Sequence, residues 1–388
     1  MNRKPIPYAR QSISEADIQA VVEVLRSDWL TQGPVIERFE RAVAGHCGAT
    51  YAVAVNSGTS ALHIACLAAG LGPGDTLWTT PNTFVASANC GLYCGASIDF
   101  VDIDPGTYNL SPDELERKLD HAAKDGTLPK VLIPVHFSGQ SCTMDRITEL
   151  AGRYGIAVIE DACHATGGSY QGSRIGSCAF SAMTVFSFHP VKIITTGEGG
   201  MVLTNRKDLY EKLIRLRSHG IIRDPAHMEG ESHGPWYYQQ QDLGFNYRIT
   251  DMQAALGMSQ MKRIDEFVRR RSVLARQYDE GLRGLPLTLP SRHPDAGSAH
   301  HLYVVRVPAV SGRTRAELFT GLREAGILAN VHYIPVHLQP LYQRRGFHAG
   351  DFPHAEQYYR EAISLPMYFG LTDDEQAYVI GTLRKLLS

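Results

Sequence analysis

The sequence predicts an α/β protein: a large, mostly parallel sheet covered by helices on both faces, followed by a smaller C-terminal α+β unit. Three observations predict it. Short apolar runs bounded by turn residues recur along the first two-thirds, amphipathic stripes lie between many of them, and the alternation stops after about residue 255. The runs cover residues 51–55, 76–80, 97–102, 131–137, 157–161, 183–188 and 201–204, seven expected strands in all. Their β-branched and aromatic content suits strands buried on both faces. Between them, residues 59–69 place Leu62, Ala65, Cys66 and Ala69 on one stripe at i, i+3, i+4 and i+7. Residues 114–121 and 144–154 behave similarly. Strand and helix alternating in this way implies parallel pairing with helical crossovers. Further on, Met261, Ile264, Phe267, Val268, Ala275 and Tyr278 predict one long amphipathic helix. Its Arg269, Arg270 and Arg271 read as a solvated face rather than an anion patch. Residues 301–307 and 327–333 then read as strands, with helices near 313–325, 355–362 and 373–387. The expected division is a large domain over 1–260 and a small one over 261–388, and residues 284–298 form the most loop-like join.

Composition narrows the function. Charged residues make up 20% and hydrophobic residues 44% of 388 positions, ordinary globular usage that excludes a disordered chain. Lys and Arg number 38 against 40 Asp and Glu, so no excess of positive charge points to nucleic acid or a membrane surface. No apolar run approaches the roughly 18 residues of a membrane span, and the first residues carry no signal-peptide core. Seven cysteines without a Cys-x-x-Cys pair argue for reduced thiols in a cytoplasmic enzyme rather than a disulfide scaffold. No metal is expected. The pairs His300-His301 and His332 with His337 have no Cys or carboxylate neighbours at ligand spacing.

Four segments carry chemistry. Asn56-Ser57-Gly58-Thr59-Ser60 joins a strand to a helix, where a glycine admits a ligand to the backbone and the first helical N–H groups favour an anion. Taken alone, the same residues are equally a helix N-cap. Val158-Ile159-Glu160-Asp161-Ala162-Cys163-His164 ends a buried strand in an acidic pair, at the edge where open α/β sheets bind ligands. There Asp161 is either a ligand partner or an N-cap. The block from Ser187-Phe188-His189-Pro190-Val191-Lys192 to Thr195-Thr196-Gly197-Glu198-Gly199-Gly200 is more specific. A lysine just past a buried strand and inside a glycine-rich loop has its pKa lowered by burial, which frees the amine as a nucleophile. No Gly-Lys-Ser/Thr follows four spacer residues, so this is not a Walker phosphate loop. Last, Gly244-Phe245-Asn246-Tyr247-Arg248-Ile249-Thr250-Asp251 is a polar turn entering an apolar helix.

Together these segments resemble the DegT/DnrJ/EryC1/StrS family of nucleotide-sugar aminotransferases, which has the aspartate-aminotransferase (type I) fold. The resemblance runs from Trp29-Leu30-Thr31-Gln32-Gly33-Pro34 to Ile363-Ser364-Leu365-Pro366. Within the family the chain is similar to the flagellin-glycan branch, which makes UDP-4-amino-4,6-dideoxy-N-acetyl-β-L-altrosamine for pseudaminic acid. Tyr8-Ala9-Arg10-Gln11, Leu30-Thr31-Gln32-Gly33, Arg217-Ser218-His219-Gly220 and Val331-His332-Tyr333 carry that likeness. The resemblance implies pyridoxal 5′-phosphate held by Lys192, with Asp161 on the pyridine nitrogen, and His164 at the ring or filling space. It implies Phe84 on the ring face, or else in the core. Gly58, Thr59, Ser60 and Ser187 would hold the phosphate, joined by Asn246 from the neighbouring subunit of a homodimer with shared active sites. L-glutamate would donate the amine and a UDP-linked 4-keto sugar would accept it. Tyr8, Asp28, Trp29, Leu30, Thr31, Val331, His332, Tyr333 and Ile334 match the positions that meet the nucleotide-sugar. Two features depart from or add to the pattern: Pro190 stands where relatives often carry alanine, and the polar stretch 228–241 is expected to form a flap that shapes which sugar enters. A sister aminotransferase for another 4-keto or 3-keto nucleotide sugar is the alternative. Dehydratases of the same fold carry histidine at the Lys192 position, and no appended DNA-binding unit suggests a regulator.

Overall fold

A computed structural model describes residues 4–388. Seven strands form the main sheet: β1 (Tyr51–Val55), β2 (Thr76–Thr79), β3 (Ser97–Phe100), β4 (Val131–Ile133), β5 (Ala157–Asp161), β6 (Met183–Ser187) and β7 (Gly200–Thr204). Their order across the sheet is β1-β7-β6-β5-β4-β2-β3. Only β7 runs antiparallel to its neighbours, and the other pairs are parallel. The side-chain period of two sorts the strands into two cores. Val53, Val55, Val185 and Val202 pack under the helix Gly58–Ala68 through Leu62 and Ala65. Ala52, Ala54, Phe186, Met201 and Leu203 face Phe39 and Phe188 on the other side. Because β1, β5 and β6 point the same way, their carboxyl ends, Val55, Asp161 and Ser187, come out at one edge of the sheet.

Four strands stop short of the sequence expectation, at Thr79, Phe100, Ile133 and Ser187. After β4, Pro134 has no N–H to give the ladder. Val135 keeps only an isolated bridge to Asp161, and the chain turns through Phe137–Gly139 with Ser138 at φ 61°. The strand expected over 327–333 reduces to Ile327–Leu328, which pairs in parallel with Ile6–Pro7. Asn330 then makes a single bridge to Ser364. The single long helix is two, Asp251–Met261 and Ile264–Gly281, broken at Arg263 with φ −115° and ψ 5°.

The arginine run is not a uniformly solvated face. Arg269 is exposed, Arg270 reaches Asp373 and the carbonyl of Leu371, and Arg271 is only 2% exposed. Its position explains the burial, since it follows Phe267 by four residues and precedes Leu274 by three on the inward stripe.

C-terminal to this helix, Tyr303–Arg306 and Ala362–Leu365 pair antiparallel. Around them Ile6, Tyr278, Leu322, Val379 and Leu383 form one apolar cluster. A second cluster joins Phe100, Ile103 and Phe137 from the sheet edge to Leu302, Val336 and Tyr358.

Candidate active site

The lysine loop leaves β6 at Ser187 and returns to β7 at Gly200. It is tied across its neck: Phe188 N–H donates to Gly199 O (2.9 Å), and Thr195 Oγ and Thr196 N–H both donate to Phe188 O (2.9 and 3.0 Å). Lys192 N–H donates to His189 O at 2.9 Å. Gly200 is required by close approach, since a Cβ there would lie 2.4 Å from Ser57 O. Burial lowers the pKa of Lys192, opposed by the neighbouring Cys163 and the Asp161 carboxylate. The amine therefore sits at the carboxyl end of β5 with an unusually accessible neutral form.

Asp161, the last residue of β5, is buried. Ser87 Oγ donates to its Oδ2 (2.6 Å) and Cys163 N–H to its Oδ1 (3.1 Å), while Thr83 and Ser87 hydroxyls meet at 2.7 Å. With Ser87 donating to the carboxylate, Thr83 donates to Ser87. Each carboxylate oxygen keeps acceptor capacity, so the group can still take a ring N–H. Nothing in the local sequence singled out Ser87 or Thr83.

Across the same edge, Ser57 caps the helix Gly58–Ala68. Its Oγ accepts from Ser60 N–H (3.0 Å), and Ser60 Oγ donates to Asn56 Oδ1 (2.7 Å). Ser60 is thus engaged in the cap. The N–H groups of Gly58 and Thr59 have no partner among the described residues, and they open at a helix N-terminus that favours an anion. A Cβ on Gly58 would lie 2.9 Å from Ser187 Cβ and 3.4 Å from Cys163 Sγ, so Gly58, Ser187 and Cys163 share this corner. Gly58→Ala is accordingly expected to weaken phosphate-ester binding by about tenfold or more while the chain still folds, at a cost of roughly 1–3 kcal/mol for overpacking. Equilibrium dialysis with pyridoxal 5′-phosphate measures it, and unchanged affinity would remove the cradle from this corner.

Phe84 is 57% exposed and so is not a core residue; its ring centroid lies 6.2 Å from that of Tyr333. His164 Nδ1 accepts from Ser138 N–H (3.3 Å), which leaves Nε2–H to donate to Tyr333 Oη (3.1 Å). Burial, then the charge of Lys192, hold His164 well below its ordinary pKa, while burial pushes the Tyr333 phenol up. Next to them, His332 Nδ1 meets Ser364 Oγ at 2.8 Å, and its ring lies 5.2 Å from that of Tyr8. Burial and Lys192 push His332 down to about 4, burial pushes His300 down to about 3, and His301 is lowered well below 6.5 as well. These imidazoles are neutral when folded but take up protons below pH 6.5 when unfolded. The unfolded chain therefore binds more protons between about pH 6.5 and 4, and stability falls as pH drops through that window. A denaturation midpoint that stays flat from pH 6.5 to 4 would contradict the buried neutral cluster.

Other sequence candidates lie elsewhere in the single chain. Asp28, Trp29, Leu30 and Thr31 are exposed beside the start of the helix Asp251–Met261, where Asp251 N–H donates to Leu30 O (3.0 Å). Asn246 is exposed and bridges Ser218. Arg217 is occupied by Glu40 Oε1 (2.6 Å) and Ala54 O (2.9 Å). Val331 is half-buried and Ile334 exposed, flanking the His332–Tyr333 pair. In the 228–241 stretch only Gln239–Gln240 is strand, paired with Ile221–Ile222, and Trp236 stands 74% exposed.

A lysine of lowered pKa, a buried carboxylate, an open anion corner and an exposed aromatic therefore converge at one sheet edge. The family model of the DegT/DnrJ/EryC1/StrS aminotransferases matches residues 11–384. The chain belongs to the DegT/DnrJ/EryC1/StrS aminotransferase family. It is 41% identical to the spore coat polysaccharide biosynthesis protein SpsC of Bacillus subtilis, over 98% of this chain and 97% of the relative. It is 37% identical to the GDP-perosamine synthase of Caulobacter vibrioides (95% and 94% covered). With the UDP-4-amino-4,6-dideoxy-N-acetyl-β-L-altrosamine transaminase of Campylobacter jejuni it shares 35% (98% and 97% covered). In structure it matches Helicobacter pylori PseC, an aminotransferase of pseudaminic acid biosynthesis, with TM-score 0.90, 30% identity and 99% of both chains covered. The sugar aminotransferase Spr1654 of Streptococcus pneumoniae, solved in PLP and PMP forms, matches with TM-score 0.89 at 29–30% identity and at least 98% coverage of both chains. The chain is thus a sugar aminotransferase dependent on pyridoxal 5′-phosphate, and its residues fit that cofactor: the N–H groups of Gly58 and Thr59 suit the phosphate, and Asp161 suits the ring nitrogen.

Proposed function

We propose that the enzyme moves the amino group of L-glutamate to C4 of a UDP-linked 4-keto-6-deoxy-N-acetylhexosamine, giving UDP-4-amino-4,6-dideoxy-N-acetyl-β-L-altrosamine. The convergence of Lys192, Asp161 and the Gly58–Thr59 corner supports the transfer chemistry. The choice of sugar is supported by the near full-length likeness to the Campylobacter jejuni enzyme and to PseC.

Pyridoxal 5′-phosphate, when bound, supplies an electron sink for the carbon that gains or loses the amine. The chain's own residues do the rest. Asp161, oriented by Ser87 and the Cys163 N–H, holds a proton on the ring nitrogen and keeps it charged. Lys192 Nζ, with its pKa lowered by burial, accepts a proton from the donor's α-carbon and returns one to the sugar carbon. Neutral His164 orients the Tyr333 hydroxyl and adds no charge beside Lys192. Tyr8 donates to an oxygen of the nucleotide-sugar, and His332, packed ring against ring with it, lines the same edge of the site. Exposed Asn246 serves the phosphate of the partner subunit in a homodimer with shared active sites, and the 228–241 stretch borders the sugar entrance.

A GDP-linked 4-keto sugar is the sister substrate, favoured by the 37% identity to the GDP-perosamine synthase. Incubation of the glutamate-treated enzyme with either sugar, followed by mass spectrometry, decides between them. An amino-sugar from the UDP substrate alone supports the proposal, and one from the GDP substrate alone replaces it.

A further inference from the structure

His136 and Glu160 form a buried pair on the face of the sheet opposite Asp161. Successive strand residues alternate between faces, so Asp161 turns toward Lys192 while Glu160 turns with Val158 toward the cluster that holds Leu132 and Cys142. His136 Nδ1 accepts from Cys142 N–H (3.1 Å), which leaves Nε2–H to donate to Glu160 Oε2 (2.7 Å). The hydroxyls of Ser181 and Thr184 donate to Glu160 Oε1. Three donors therefore satisfy a buried carboxylate that takes no part in the chemistry at Lys192.

The pair stands where the sheet gives out. Beyond Ile133, two main-chain bonds still join the chain to β5: Asp161 N–H to Pro134 O (2.9 Å) and His136 N–H to Asp161 O (3.0 Å). The loop 137–142 follows, with no ladder to hold it. Asn109 fixes its shape, accepting from Phe137 N–H (2.9 Å) and donating to the carbonyls of Gln140 and Ser141 (3.1 and 3.0 Å). Its outer side joins the small domain, through Ser138 Oγ to Leu302 O (2.8 Å) and Ala299 N–H to Gly139 O (2.9 Å). None of these bonds reaches β5. The His136 ring does, holding the far end of the loop with one nitrogen and the neighbour of Asp161 with the other. Toward the site the same loop presents Ser138 N–H to His164 Nδ1 (3.3 Å) and sets Phe137 against Tyr333, ring centroids 6.1 Å apart.

We infer that His136 and Glu160 are positioning residues of the transfer reaction, clamping the loop 137–142 to β5 and so fixing where Asp161 and His164 stand. The inference rests on the roles proposed above for those two residues. A loop released from β5 would carry Ser138 away from His164. The imidazole would then lose the bond that keeps its proton on Nε2, and with it the orientation of the Tyr333 hydroxyl. The main-chain bond from His136 to Asp161 would loosen at the same time.

Two variants each open one end of the clamp. His136→Asn keeps an acceptor near the Nδ1 position and loses the donor to Glu160; His136→Gln keeps that donor and loses the acceptor. Hydrogen exchange of the holoenzyme, read by mass spectrometry over residues 137–142, is expected to quicken by about tenfold in His136→Gln and by up to about a hundredfold in His136→Asn, where the lost bond is to a charged group. Turnover is expected to fall about tenfold or more in both. KM for glutamate and cofactor affinity by dialysis should stay within about threefold, because the Gly58–Thr59 corner is untouched. Glu160→Gln strands no charge and keeps an uncharged bond to His136, so it is the milder variant, expected to move exchange and turnover severalfold in the same direction. Unchanged exchange in all three variants, or faster exchange with wild-type turnover, overturns the clamp. Turnover, KM and cofactor affinity worsening in equal proportion assigns the pair to folding alone and overturns it as well. Faster exchange in the His136 variants together with full turnover in Asp161→Asn keeps the clamp on the loop and overturns the site roles instead.

Discussion

Lys192→Ala is expected to lower turnover by at least about a thousandfold, because positioned acid–base catalysis alone contributes about 10²–10⁴ and this substitution also removes the covalent attachment of the cofactor. The chain should still fold. The neck of the loop is held by main-chain and threonine bonds at Phe188, Thr195, Thr196 and Gly199, none of which uses the lysine side chain. Removing a half-buried ammonium that has no hydrogen-bonded side-chain partner leaves no counter-charge stranded beyond Asp161, which keeps Ser87 and the Cys163 N–H. Steady-state assay and circular dichroism check both halves. A variant with full activity would mean that another amine does the chemistry.

Asp161→Asn is expected to keep most of the cofactor and to lose turnover by about a hundredfold or more. Asparagine keeps one acceptor for the Cys163 N–H, and its NH2 can donate to the Ser87 hydroxyl in place of the bond the carboxylate accepts, so the side chain keeps its place. The charge does not survive, and removing one partner of a buried pair costs about 3–5 kcal/mol, equivalent to a factor of roughly 10²–10⁴ at about 1.4 kcal/mol per tenfold. The phosphate corner and Lys192 are untouched, so bound cofactor measured by absorbance should stay near the wild-type level. Near-normal turnover would show that the ring nitrogen does not depend on this carboxylate.

The sheet and the residues gathered at its carboxyl edge were legible because their signals are local. Lys192, Asp161 and Gly58 each sit just past, at the end of, or shortly after a short apolar run, and parallel strands bring such ends to one edge. The helpers were not legible, because their partners are remote in sequence. Ser87 reaches Asp161 across 74 positions, and Tyr333 reaches His164 across 169. No periodicity links such pairs. Arg271 is different, since its spacing from Phe267 and Leu274 already placed it on the apolar stripe, and its charge alone suggested solvent. The extended expectation over 327–333 failed because an apolar run with β-branched residues says nothing about which strand is available to pair. There the N-terminal Ile6–Pro7 takes two residues, and the rest turns toward Tyr8 and the His164–Tyr333 pair.

In the proposed reaction one site, built on Lys192, takes an amine from glutamate and gives it to a nucleotide-sugar. A two-step incubation of the purified holoenzyme tests it most directly. Glutamate alone should abolish the visible band of the lysine-bound cofactor, and the UDP-linked 4-keto-6-deoxy sugar added next should restore it with one equivalent of amino-sugar per site. A band that glutamate and every other amino acid leave unchanged would contradict the claim.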